Sequence, residues 1–365
     1  MTSKPTILVT SAAGKTGLAV ALQLREKGFP VRAFVRRIDA RSDQLSQAGC
    51  EIFKGDQYVL RDMQQAMEGV ARAYHCPPTA PNGLHFTAVF CAAAAQAGIS
   101  HTVTLGQWLA ARDHPSLFTR ETYLGEALLA QVPGMTVTKV IPGWFADNYL
   151  MVLEMAAQLG QLTMPLGDGD AKTNAPPSNE DIARVAVAAL IDPDTHAGAR
   201  YRPTGPELMS PNEIAAAIGR ALGRKVAYNN ISERMFLKAM RAVPPSNFSE
   251  AAVTQLRIYC EEYRRGSFAV NAPTDVVERL SGQPPERFED IVARVAKTRP
   301  GVRRSFRLRL RAVADFTRIL LARPYDTARL EKNRDFIQMT NPVFVQDDPV
   351  WRSGHSPKPN LAEVA

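Results

Sequence analysis

Short apolar runs alternate with amphipathic segments from residue 6 to residue 142, and this rhythm restricts the fold more than any single residue does. The runs are TILVT (6–10), VRAFV (31–35), EIFKG (51–55), ARAYHC (71–76), HTVTL (101–105) and MTVTKVIP (135–142). Each is rich in β-branched or aromatic residues, as buried strands are. Between them lie stretches with helical spacing: Leu18 to Leu24, stopped by Gly28, then SDQLSQAGC, VLRDMQQAMEGV, the alanine-rich 84–97, and 121–130. Strands separated by helices pair in parallel through right-handed crossovers. The expected fold class is therefore α/β: a Rossmann-like doubly wound parallel sheet, then a smaller, mostly helical substrate lobe and a C-terminal extension.

After residue 142 the rhythm changes. Residues 143–160 (GWFADNYLMVLEMAAQLG) read as a helix leaving the sheet, and 178–192 (SNEDIARVAVAALID) as a helix with a polar start and an apolar stripe. GARYRPTG (198–205) and KVAYNNIS (225–232) read as late strands. Ser210, Pro211 and Glu213 open a helix with a capping box. Residues 347–365 are rich in Pro, Ser and Gly and read as an extended or disordered tail. The division expected is 1–150 for the nucleotide-binding domain, 151–293 mainly for the substrate lobe with segments returning to the sheet, and 294–365 for the extension.

Bulk properties narrow the function classes. No run of 18 apolar residues exists, so no transmembrane segment is expected. MTSKPTILVT lacks a leader pattern and fits a first core strand. Cys50, Cys76, Cys91 and Cys260 form no Cys-x-x-Cys pair, and the histidines show no metal-ligand spacing. A cytoplasmic protein without a metal is the simple reading. The net charge is +8, yet residues 297–334 alone hold twelve Lys or Arg against three acids, a local +9 that leaves the rest at −1. The basicity belongs to the extension, and no reader motif accompanies it, so nucleic acid is not an expected partner.

Thr6 to Val20 reads TILVTSAAGKTGLAV, a strand running through a tight turn into a helix. A helix N-terminus offers open N–H groups and partial positive charge to a pyrophosphate. Read as G-x-x-G-x-x-G, the turn has Ser11, Gly14 and Gly17 at its three places, with Ala13 and Thr16 between them. Ser11 is expected to offer a hydroxyl to phosphate and Lys15 a cation beside it. Strand two ends in Arg36 and Arg37 where an acid would favour NAD, and guanidinium groups suit a 2′-phosphate. The expected cofactor is NADP(H); a plain solvated basic loop is the alternative. Asp56 and Gln57 stand where they can meet the adenine. Pro77, Thr104 and Pro142 follow strands four, five and six, at the carboxyl edge that binds ligands in such sheets.

With these residues in place the chain resembles the NmrA-like group of atypical short-chain dehydrogenases. The turn 11–17, Arg36, Gly55–Asp56, PGWFADNY (142–149), the 178–190 helix and GSFAVNAPTDVVERLSGQPPERFEDIV (266–292) carry the resemblance, over about residues 5 to 293. Relatives in that group include NADPH-dependent quinone, azo-dye and triphenylmethane reductases and redox-sensing regulators. The resemblance implies a substrate cleft between the Rossmann-like domain and the lobe.

The catalytic machinery is less legible. Many short-chain dehydrogenases carry Tyr-x-x-x-Lys before strand six; here Tyr123 is followed four residues on by Ala127. The related reductases carry His-x-x-Thr-Glu, of which only Glu126 remains. Tyr123 stays as the candidate acid, or is simply a helix-face aromatic. Reduction of a conjugated acceptor asks less of the protein, because positioning does most of the work. Trp108, Trp144 and Phe145 are expected as apolar walls and Gln107 as a carbonyl partner, each with core or surface packing as the alternative. The expectation is an NADPH-dependent reductase of a small conjugated or aromatic acceptor, in secondary metabolism. A non-catalytic NADP-binding sensor and a redox-neutral isomerase are the other classes.

The extension segment RRSFRLRLRAVADFTRILLARP (303–324) places Phe306, Leu310, Val313 and Leu320 on one helical stripe, and Arg304, Arg307, Arg311 and Arg318 on another. The expectation is a helix packed on its own subunit or on a homodimer mate, with an anionic membrane surface as the other course.

Overall fold

A computed structural model describes residues 4–78, 80–244 and 249–355. Nine strands are present among them: β1 Ile7–Val9, β2 Val31–Val35, β3 Glu51–Lys54, β4 Arg72–His75, β5 His101–Leu105, β6 Thr136–Val140, β7 Gln161–Met164, β8 Arg200–Tyr201 and β9 Ala227–Asn230. Seven form a parallel sheet in the order β3-β2-β1-β4-β5-β6-β8, and β7 pairs with β9 in a small parallel ribbon. The order reverses between β1 and β4, which opens a crevice at the carboxyl edge of the sheet.

Side-chain alternation along the strands feeds two cores. Ile7 and Val9 of β1, with Ala33 and Val35 of β2, face the helices Lys15–Glu26 and Asn179–Ile191. Leu8, Phe34 and Ala73 face the opposite way, onto Leu60–Met67 and Gly83–Ala97. The helix starts follow local chemistry. Asp39 and Ser42 form a capping box at Ala40–Gln47, and Ser210 and Glu213 form the expected one at Pro211–Ala221. Gly98 takes a left-handed conformation to end the alanine-rich helix.

Residues 143–160 are two short helices, Ala146–Leu150 and Leu153–Leu159, and the chain then continues into β7. β8 returns to the main sheet beside β6 through Lys139↔Arg200 and Val140↔Tyr201. The lobe has its own core around Trp144, Tyr149, Tyr263 and Phe268, and this core takes in Val302, Val345 and Trp351 from the extension.

Two expectations for the extension change. The tail is not wholly extended: Pro349–His355 is helical, with Trp351 buried and its Nε1 donating to the Trp108 carbonyl at 3.1 Å. Residues 356–365 of that tail lie outside the described residues. The basic helix forms at Phe306–Leu321, but its stripe of Phe306, Leu310, Val313 and Leu320 is exposed; Ala312 and Ile319 make the buried contact instead. The small Ala312 lets the helix lie close to its neighbours, and that choice of face turns the bulky stripe outward. Among the described residues no helix is long and apolar enough to cross a membrane, and no cluster of His, Cys, Asp and Glu could hold a metal.

Candidate active site

The turn after β1 is built around Ser11. Its backbone is left-handed, with φ of 50°, a conformation that glycine adopts without strain. Two bonds hold the serine there: its N–H donates to Gln57 Oε1 at 2.8 Å, and its hydroxyl donates to the Cys76 carbonyl at 2.8 Å. The hydroxyl expected to serve a phosphate thus ties β1 to β4. A Cβ added to Gly14 would stand 2.9 Å from the Ser11 carbonyl oxygen, and one added to Gly17 would stand 2.4 Å from it. Both glycines are therefore required for the turn to close. Gly14 caps the helix Lys15–Glu26 without any side-chain bond. A helix start of this kind leaves its first N–H groups without intrahelical partners, an arrangement suited to an anion.

Other expected cofactor contacts divide. Arg36 and Arg37 are exposed at the end of β2, and neither holds an ion pair or side-chain hydrogen bond among the described residues. Arg41 braces the loop between them and the turn, donating to the Ala13 carbonyl at 3.0 Å and pairing with Asp39 at 2.6 Å. Asp56 accepts from the Tyr58 N–H at 3.0 Å, which shapes the end of β3. Lys15 does not stand free: its Nζ lies 2.6 Å from Asp147 Oδ2, across from the loop after β6. Thr16 is buried, with its hydroxyl 3.5 Å from Cys76 Sγ, so its side chain faces the core. The Pro142 carbonyl accepts from the Trp108 N–H at 3.1 Å.

Beyond β4 and β5 lies a small cleft of about 40 Å³. Pro77, Pro78, Thr104, Gln107, Phe118 and Glu121 are among its walls. His75 forms the floor. The Thr87 hydroxyl donates to the Gly83 carbonyl, so it accepts from His75 Nε2–H at 3.1 Å, and His75 Nδ1 accepts from Thr104 at 2.9 Å. Burial pushes the His75 imidazole down to about 3, so it is neutral at any working pH. Gln107 Oε1 accepts from the Tyr259 hydroxyl, which orients the amide.

Two carboxyl groups meet this cleft. Glu126 Oε2 pairs with Lys139 Nζ at 3.0 Å, while Oε1 is buried and has no partner. A Cβ on Gly106 would come within 2.5 Å of that oxygen, so the glycine makes room for it. Glu121 holds no such ion pair among the described residues; burial raises its carboxyl to about 7, against the pull of Arg120.

The structure moves three expected residues away from the cleft. Trp108 is buried in the lobe core, with its Nε1 donating to the Ser267 carbonyl at 2.8 Å and the Arg202 guanidinium 3.6 Å from its ring centre. Trp144 is only 1% exposed and packs on Tyr149, Tyr263 and Phe268. Phe145 packs against the core on one face of the sheet. Their burial follows from lobe packing: large aromatic surfaces gain most where a second layer covers them. Tyr123 is 40% exposed on the outer face of the helix Leu117–Leu129, while Glu121 and Thr122 point into the cleft. The aromatic wall is Phe118, backed edge-on by Phe336 at 5.6 Å. His75, Phe118 and Glu121 carry no local sequence signal beyond the placing of His75 at the end of strand four, just before Pro77.

The residue types at this edge suit a dinucleotide carrying a 2′-phosphate: Gly14 and Gly17 let the turn close, the helix start has no side-chain cap, and Arg36 and Arg37 hold no ion pair among the described residues. A family model described as NmrA, the NmrA-like family, matches residues 3–272. The chain is 32% identical over 286 residues to an NAD(P)H azoreductase of Xenophilus azovorans, covering 78% of this chain and 96% of the relative. It is 30% identical to a (4-alkanoyl-5-oxo-2,5-dihydrofuran-3-yl)methyl phosphate reductase of Streptomyces griseus, over 78% of this chain and 95% of that one. Among solved structures, an NADPH-dependent quinone oxidoreductase of Escherichia coli bound to NADPH superposes with a TM-score of 0.68 at 23% identity, over 80% of this chain and 99% of that one.

Proposed function

The chain belongs to the NmrA-like family, and we propose that it is an NADPH-dependent reductase delivering hydride to a small acceptor with a polarised, conjugated double bond. The observation that carries this reading is the cleft after β4 and β5, which sets a half-buried carboxyl, Glu121, beside Gln107 and Phe118. The Gly14 helix start and Arg36 and Arg37 follow β1 and β2 of the same sheet. Azo compounds and unsaturated lactones, the chemistry in the names of the two relatives, share such a bond.

Bound NADPH supplies the hydride, and the chain's own residues do the rest. Arg36 and Arg37 hold the 2′-phosphate, and the first turn of Lys15–Glu26 holds the pyrophosphate. Phe118 and Pro77 give a flat acceptor an apolar seat, and Gln107 donates to its carbonyl or ring nitrogen through the amide that Tyr259 orients. The hydride leaves an anion on the acceptor, and Glu121 gives it a proton and regains one from solvent at the cleft mouth. A carboxyl near 7 holds that proton close to neutral pH. His75, neutral and tied to two threonines, fixes the floor without exchanging a proton.

The test is acceptor-dependent loss of NADPH absorbance with a quinone, an azo compound and an unsaturated lactone, run beside NADH. Turnover with one of them, favouring NADPH, supports the reading. NADPH binding without turnover on any, joined to a protein contact that responds to the NADPH/NADP ratio, would replace it with the sensor reading.

A further inference from the structure

The helix Phe306–Leu321 has three distinct faces. Leu308, Ala312 and Ile319 lie toward the helices Leu153–Leu159 and Glu233–Ala242. At about 3.6 residues per turn, Phe306, Leu310, Val313 and Leu320 fall on the side away from that contact. They are 76%, 53%, 47% and 44% exposed, and Leu321 beside them is 82% exposed. Arg307, Arg311 and Arg318 run along one margin of this stripe, and Arg309 stands on the other. Residues 303–323 hold seven arginines and one acid, Asp315, a net +6. Asp315 is shared between Arg318 at 3.0 Å and Arg311 at 4.0 Å, whereas Arg307 and Arg309 are exposed without an ion pair among the described residues.

We propose that this face docks the protein on an anionic lipid bilayer. A row of large apolar side chains pointing straight out, with guanidinium groups at its margins, suits the boundary between acyl chains and phosphates. The apolar row enters the boundary while the arginines reach the headgroups. Charge selects this occupant over a second copy of the chain. Two such faces brought together would set arginine rows against arginine rows, with one aspartate on each side to offset them. The helix is already formed, capped by Ser305 accepting from the Leu308 N–H, and anchored through Lys238 Nζ donating to the Leu320 carbonyl at 2.7 Å. Docking therefore orders little that is not already ordered. The inference does not depend on the reductase reading.

Cosedimentation of the full chain with vesicles tests it, using phosphatidylcholine alone or mixed with an equal amount of phosphatidylglycerol. Binding is expected only to the mixed vesicles. Arg307→Gln and Arg309→Gln should each lower the partition coefficient about fivefold. Leu310→Glu with Leu320→Glu should abolish binding while leaving the circular dichroism unchanged, since both side chains are exposed. Three results would overturn the proposal. One is no binding to mixed vesicles. Another is binding indifferent to the two leucines, which would be diffuse adsorption of a basic protein. The third is a lipid-free dimer that Leu310→Glu splits, or tighter binding to an acidic amphipathic peptide, either of which would give the face to a protein partner.

Discussion

Replacing Glu121 with glutamine should stabilise the protein in alkaline solution and slow its chemistry, and the two effects have one cause. The carboxyl is carried from 4.5 to about 7 by burial against the cleft wall. Below about pH 4.5 the folded and unfolded chains both hold the proton, and the site has no electrostatic cost. As the pH rises the unfolded chain ionises first, so stability falls until the folded carboxyl ionises too, near pH 7. The full displacement corresponds to about 3 kcal/mol, and solvent at the open mouth screens it to about 1–2 kcal/mol. Glutamine cannot ionise, so the variant should gain about that amount near pH 8 and nothing near pH 4. Urea unfolding of both proteins across this range measures the difference. In parallel, kcat with a conjugated acceptor should fall about a hundredfold in the variant. The wild-type decline in rate through pH 7 should disappear. A stability difference that is flat with pH would refute the account of a buried, proton-holding carboxyl, whatever happened to the rate.

Three further outcomes follow from the geometry. Arg36→Ala with Arg37→Ala should weaken NADPH binding by tenfold or more, about 1.4 kcal/mol, and leave NADH binding unchanged in calorimetric titration. Gly17→Ala places a methyl group 2.4 Å from a backbone oxygen; it should lower stability by about 1–3 kcal/mol and abolish binding of both nucleotides. Trp351→Ala should cost about 3–5 kcal/mol and expose the extension to limited proteolysis, because the indole is 4% exposed and its N–H is bonded to the Trp108 carbonyl.

The legible parts of the chain are those in which local signals agree with their surroundings. VRAFV and HTVTL appear as β2 and β5 with the same bounds, since both are apolar runs set off by glycine or polar residues. The Ser210–Glu213 capping box holds because its bonds lie within one turn. β7 escapes a local reading: Gln161–Met164 carries only two buried residues, and its partner β9 lies more than sixty residues away. Candidate cofactor contacts can be nominated from sequence because they follow strand ends in a fixed order. The cleft cannot be read in this way. Whether Trp108 lines a cavity or fills a core depends on Trp351 and Arg202, which arrive from distant segments. An acid such as Glu121 on a helix reads as solvated until the neighbouring wall is in place. The basic helix shows the same limit, for periodicity groups residues onto faces but does not say which face meets the protein.

The interleaving of Val345 and Trp351 with the lobe core also sets an order of events during synthesis. The main sheet is complete once β8 has left the ribosome, whereas Trp351 is made 150 residues later. At cellular elongation rates that interval is on the order of ten seconds. Throughout it the Trp108 indole lacks its edge-on partner, and Phe118 lacks the backing of Phe336. The nucleotide groove can assemble on the nascent chain, while the wall opposite must wait. A ribosome stalled near residue 330 would therefore display a cofactor binder with an unfinished substrate cleft.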